Sequence, residues 1–140
     1  MTLTPEAQTA KATVDAYYAA FNAGEAKGML ACVTEDVEHH VNEGGVRKGK
    51  PKFEEFCAHM GVSYRETLKD IVVFVSADGT RAAAEFVVHG EYLKTDPGLP
   101  EAKGQKYILP AGSFFTLRDG KICRVTTFYN LNDWIAQVSA

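Results

Sequence analysis

The chain has 140 residues, of which 46% are hydrophobic and 24% charged, and a net charge of −3. That fits one globular domain able to bury a sizeable core. The absence of any clustered Lys/Arg patch argues against a nucleic-acid or anionic-membrane partner, and no apolar run approaches the roughly 20 residues that span a bilayer.

The N-terminal stretch "MTLTPEAQTAKATVDAYY" lacks the charged-then-apolar pattern of a signal peptide. Thr4-Pro5-Glu6 opens a helix: Thr as N-cap, Pro at the first helical position, Glu complementing the helix dipole. Val14, Tyr17, Tyr18 and Phe21 then form one apolar face, and Asn22-Ala-Gly24 ends the helix. A short second helix carries Met29, Leu30 and Val33. "EDVEHHVN" is a candidate strand, and Val46 to Gly49 a brief extended piece. Pro51 opens a third helix whose Phe53, Phe56, Cys57, Met60 and Tyr64 share a face, with His59 off that stripe and solvated.

The second half is rich in β-formers. "LKDIVVFVSADGTRAAAEFVVHGEYL" predicts two strands around Asp78-Gly79, and "QKYILPAGSFFTLRDGKICRVTTFYNL" two more around Asp119-Gly120. Between them, "KTDPGLPEAKG" predicts a long mobile loop. "NDWIAQV" predicts a terminal helical turn. Helices first and a meander of strands afterwards define an α+β domain, with helices covering one face of a curved sheet.

Alternation assigns the faces. Tyr107, Leu109, Ala111, Ser113, Phe115 and Leu117 face inward on one strand, and Cys123, Val125, Thr127 and Tyr129 on the last. Ala84, Phe86, Val88, Gly90 and Tyr92 form the apolar set of "AAEFVVHGEY", which puts Glu85, His89 and Glu91 on the outer face. The outer face, with Val87, His89, Glu91, Arg124, Thr126 and Phe128, is mixed and uncovered, and predicts a homodimer.

Cys32, Cys57 and Cys123 are odd in number and widely spaced, which suggests buried thiols in a reducing cytoplasm rather than disulfides or a cysteine zinc site. "HHVNEGG" is the most chemically loaded stretch. As a strand it puts Val37, His39 and Val41 on one face and Glu38, His40 and Asn42 on the other. Adjacent strand histidines point apart and make a poor chelate, so no metal is expected. A neutral imidazole can accept a proton at neutral pH. Glu43 is read as a solvated turn residue, with a base role as the lesser option.

"AYYAAFNAGEAKGMLACVTEDVE", Gly49 before an aromatic-rich helix, and "LRDGKICRVTTFYN" at the end resemble the nuclear transport factor 2-like superfamily. More narrowly they resemble its ketosteroid isomerase-like and SnoaL-like polyketide cyclase branch. The resemblance covers nearly the whole chain. It implies a cone-shaped, curved, mixed or antiparallel sheet wrapped over three N-terminal helices, an apolar pocket open at one end, and a homodimer.

The resemblance also implies an isomerase-type site. Tyr17 falls at the position of the oxyanion-binding tyrosine. Ser113 falls where that family has a protonated aspartate. The base position falls on Val41 counting from the "NAG" turn and on His40 counting back from Gly49, so no carboxylate stands there. Strand parity favours His39 as the inward imidazole and the count from Gly49 favours His40; both stay open. Tyr17, His39, His40 and Ser113 are thus the candidate catalytic residues, and Phe21, Tyr107, Phe115, Thr127, Tyr129 and Trp134 the candidate ligand-binding ones. Two functions follow. One is a cofactor-free proton-transfer enzyme, of isomerase, cyclase or dehydratase type, acting on a small apolar carbonyl compound. The other is a non-catalytic module of the same fold that binds a small apolar molecule or supports a dimer.

Overall fold

The computed structural model describes residues 2–42 and 44–140. Its elements run α1 (Pro5–Ala23), α2 (Ala26–Leu30), β1 (Val33–Val41), β2 (Val46–Lys48), α3 (Lys50–Ser63), β3 (Tyr64–Val75), β4 (Arg81–Tyr92), β5 (Gln105–Arg118), β6 (Lys121–Tyr129) and α4 (Leu131–Ser139). The start of α1 follows its cap: Thr4 Oγ1 accepts from the Ala7 amide at 3.1 Å. Gly24 ends the helix in the left-handed region, at φ 71°, which a glycine adopts without strain.

The strands form a single curled, unclosed sheet in the order β2-β1-β6-β5-β4-β3. β1 runs parallel to β6 and the remaining pairs are antiparallel. This is the mixed, curved sheet that the resemblance implies. α1 packs on β3, β4 and β6, while α3 packs on β1, β2 and β3. The core lies between these helices and the concave face, with Val14, Val33, Val37, Phe53, Phe115, Ile122 and Val125 almost wholly buried.

Turn chemistry fixes the register of the β5–β6 hairpin. Asp119 (φ 52°) and Gly120 (φ 77°) both take positive φ between the paired Arg118 and Lys121, a two-residue turn whose twist matches the strands. Around Gly79 the connection is longer. There Asp78 Oδ1 accepts from the Thr80 amide at 3.0 Å and from Ser76 Oγ at 2.7 Å.

Strand alternation places most faces correctly. Ala84, Phe86, Val88, Gly90 and Tyr92 are buried, and Glu85 is exposed. Several expectations need correction. Val33 opens β1 rather than lying on the second helix, and Tyr64 opens β3 rather than lying on the third. On β6 the buried residue near the hairpin is Ile122, not Cys123, because a bulge sets Leu117 opposite Ile122 and Thr116 opposite Arg124. "KTDPGLPEAKG" is a loop, but it is tied to the sheet. Tyr92 Oη donates to the Pro100 carbonyl at 2.6 Å and accepts from the Asp96 amide at 2.9 Å, while Tyr64 Oη donates to Asp96 Oδ2 at 2.8 Å. The terminal turn is a full helix, α4, capped by Asn130, whose side chain accepts from the Asp133 amide at 2.9 Å. Among the described residues no helix is long and apolar enough to cross a membrane.

Candidate active site

Between the helices and the sheet lies a cavity of about 1410 Å³, larger than the ~300–1,000 Å³ typical of small-molecule sites. Of the candidates read from sequence, Tyr17, Phe21, His39, Ser113, Thr127, Tyr129 and Trp134 line it. His40, Tyr107 and Phe115 do not. His40 stands on the other face of β1, opposite Val46 and Thr126. Phe115 lies behind the lining as the core partner of Tyr17 and Tyr18, its ring centroid 6.0 and 5.9 Å from theirs. Glu43 lies outside the described residues.

Parity thus settles the imidazole. Val37 and His39 share the buried face of β1, and His39 is only 4% exposed. Its ring sits 5.0 Å from that of Phe53 and 4.4 Å from that of Phe56, both on α3. Its Nδ1 is buried without a hydrogen-bond partner among the described residues. Burial, then the Arg47 charge and then His40, lower its pKa to about 4, so the ring is neutral at pH 7. Arg47, on β2, lies over Phe56 at 4.5 Å and lines the same cavity.

Tyr17 meets this group through Phe53, whose ring also lies 6.3 Å from Tyr17 in a stacked arrangement. Burial holds the Tyr17 phenol well above its usual pKa, so it remains a proton donor at every working pH. Tyr18, on the same helical face, is an addition that the residue-by-residue resemblance passed over. Its hydroxyl is buried without a hydrogen bond of good geometry, and burial raises its pKa, an effect the nearby Ser113 partly offsets. Ser113 and Thr127 pair across β5 and β6 with their hydroxyl oxygens 2.8 Å apart. Tyr17, Tyr18, Ser113 and Thr127 line the cavity together with an apolar stretch of Phe21, Phe53, Phe56, Phe86 and Leu109. Cys57 also lines it, with its thiol pushed up to about 11 by burial and by Glu54, and therefore protonated.

Glu25, Glu66 and Asp96, none of them a candidate from sequence, also line the cavity. Glu66 points inward from β3, and Tyr107 Oη donates to its Oε2 at 2.5 Å. Burial raises the Glu66 pKa, which the Tyr107 bond partly counters. Tyr129 feels the same charge. Its phenol is pushed up first by burial and then by Glu66 and Asp96.

The fold is a cone-shaped domain whose curled sheet and helices surround this cavity. Residues 14–125 match the SnoaL-like domain, and the chain belongs to that family. Among solved structures it is similar to a candidate polyketide cyclase from Silicibacter sp. TM1040, at 63% identity over 95% of this chain and 97% of that one, with a TM-score of 0.92. A second candidate polyketide cyclase, from Pseudomonas putida KT2440, is 57% identical over 92% and 97% of the two chains, with a TM-score of 0.91. A third, from Xanthomonas campestris pv. campestris, is 53% identical over 95% and 98%, also at 0.91. No curated protein matches the chain.

Proposed function

We propose that the protein is a cyclase- or isomerase-type enzyme that moves a proton on a small apolar carbonyl compound without a cofactor. The observation that carries this reading is His39: a neutral imidazole on the cavity wall, packed against Phe53 and Phe56. Such a ring can take a proton from carbon next to a carbonyl. A base of pKa about 4 is weak in the empty site, but the enolate formed by the transfer is a counter-charge that raises its proton affinity. Tyr17 and Tyr18, held protonated by burial, donate to the enolate oxygen, and Ser113 with Thr127 supplies further hydroxyls. The similarity to candidate polyketide cyclases supports this chemistry.

The same reading includes a homodimer. The convex face of the sheet exposes Phe74, Ile108, Phe114 and Phe128, each about half accessible, and the rings of Phe114 and Phe128 pack 5.9 Å apart. An apolar patch of that kind is normally covered by a partner.

The test uses β-tetralone, a compact ketone with acidic carbon-bound hydrogens, in deuterium oxide. Proton NMR should show exchange at the carbon between ring and carbonyl well above the buffer rate with the native protein, and near the buffer rate with His39→Gln. Exchange equal in the two proteins, or binding without exchange, overturns the catalytic reading; binding without exchange leaves a ligand-binding module.

A further inference from the structure

We propose that Glu66 is a second polar anchor of the cavity, which accepts a hydrogen bond from a hydroxyl of the bound ligand while His39 and Tyr17 hold its other end. The ligand class is therefore an aromatic or enolic compound with hydroxyl groups at two separated positions. The proposal rests on the reading of the cavity as a site for a small carbonyl or phenolic compound.

The support is a built row of three residues across three strands. Glu66 on β3 pairs with Gly90 on β4, and Gly90 pairs with Tyr107 on β5. Gly90 has no side chain, and the Tyr107 ring occupies the vacated space. A Cβ at Gly90 would stand 2.2 Å from Tyr107 Cζ and 2.5 Å from its hydroxyl oxygen. Only a glycine in the middle of the row lets the ring cross to Glu66 and donate to Oε2. Tyr107 itself is 2% exposed, so its phenol serves the carboxyl and not the cavity.

This arrangement leaves one carboxyl oxygen uncommitted. Oε1 has no hydrogen-bond partner among the described residues, and Glu66 lines the cavity. No cation pairs with it among the described residues either. A half-buried carboxyl facing an aromatic-walled space is costly unless something donates to it. Tyr107 supplies one donor and a ligand hydroxyl supplies the second. His39 on β1 and Glu66 on β3 come from opposite flanks of the sheet. A ligand that meets both is held at two points, which fixes its orientation against the imidazole.

The experiment compares para-phenylphenol, which has one hydroxyl, with para,para′-biphenol, which has one at each end, by calorimetry on the full chain. Two equivalent ends alone favour the biphenol by a statistical factor of about two. The native protein should prefer it about tenfold or more, the increment of one well-placed hydrogen bond. Glu66→Gln keeps an acceptor for Tyr107 and should reduce the preference; Glu66→Leu should reduce it to the statistical factor. Para-phenylphenol should bind all three proteins about equally. A native preference at the statistical factor, or one that survives Glu66→Leu, overturns the anchor and leaves the cavity reading standing. Failure of both probes to bind the native protein overturns the cavity reading and the anchor with it.

Discussion

The Asn22 side chain reads both backbone groups of Leu68: its Nδ2 donates to the Leu68 carbonyl at 3.0 Å and its Oδ1 accepts from the Leu68 amide at 2.8 Å. This clamp fastens the end of α1, which carries Tyr17 and Tyr18, to β3 two residues from Glu66. Leu68 is 6% exposed, so water cannot replace the amide readily. Asn22→Ala should destabilise the protein by about 2 kcal/mol, the sum of two net hydrogen bonds and the exposure of their partners. A lower urea midpoint with an unchanged slope is the expected result; an unchanged midpoint would show that the clamp is dispensable.

His39 makes stability depend on pH in a defined direction. Its folded pKa of about 4 lies below the ~6.5 of an unfolded histidine, so between those values the unfolded chain binds the extra proton. Stability contributed by the neutral ring is complete above pH 6.5 and falls as pH drops toward 4. The loss amounts to about 3 kcal/mol. His39→Leu lacks this group, so the difference between the native and variant stability curves should grow by that amount from pH 4 to pH 6.5. A flat difference would mean that the ring titrates in the folded protein as it does in the unfolded chain.

Tyr17→Phe removes one donor and little volume. Binding of para-phenylphenol should weaken about tenfold, the value of a lost hydrogen bond to oxygen, while biphenyl should bind as before. Equal weakening of both would assign Tyr17 to packing alone and leave Tyr18 as the donor.

Gly90→Ala should be costly because of one specific ring. The new methyl meets Tyr107 Cζ at 2.2 Å, so either the ring or the strand must move. Tyr107→Ala should recover much of the loss, which makes the two substitutions strongly non-additive in a double-mutant cycle. Additive effects would locate the strain elsewhere.

The exposed rings of the convex face predict a species of 30.6 kDa, twice the 15.3 kDa of one chain, in sedimentation equilibrium. Phe114→Glu places a charge beside Phe128 and should shift the protein toward the monomer. A monomer at all concentrations for the native protein would remove the dimer from the proposal.

Much of this architecture is legible in the sequence. Thr4-Pro5, Gly24 and Asp119-Gly120 act through local chemistry, and each element begins or ends where that chemistry says it should. Alternation placed His39 inward because Val37 shares its parity. Glu66 was hidden for a physical reason. Ile71, Val73 and Val75 set one parity at the end of β3, and that parity extrapolated backwards points Glu66 at solvent. A register shift between Lys69 and Val72, with Asp70 at φ 57°, reverses it, so Tyr64, Glu66 and Leu68 face in. Leu68 was the available signal, an apolar residue out of phase with its neighbours. For the loop after β4, composition records Pro and Gly but not the Tyr92 and Tyr64 hydroxyls that tie it to the sheet.

The parallel pairing of β1 with β6 sets the order in which the molecule can be completed. Val33 lies beside Ile122 and Val41 beside Thr127, so the wall bearing His39 has no inner neighbour until the last strand has been synthesised. On the ribosome, α1, α3 and β1 emerge with their apolar faces uncovered, and the β3–β6 meander, whose contacts are between sequence neighbours, can assemble first. Closure of β1 onto β6 then joins the two ends of the chain in one late event. A nascent chain stalled before β6 would carry the α1 and α3 walls of the cavity without the Thr127 and Tyr129 of β6 or the Trp134 of α4, which makes it a client for chaperones.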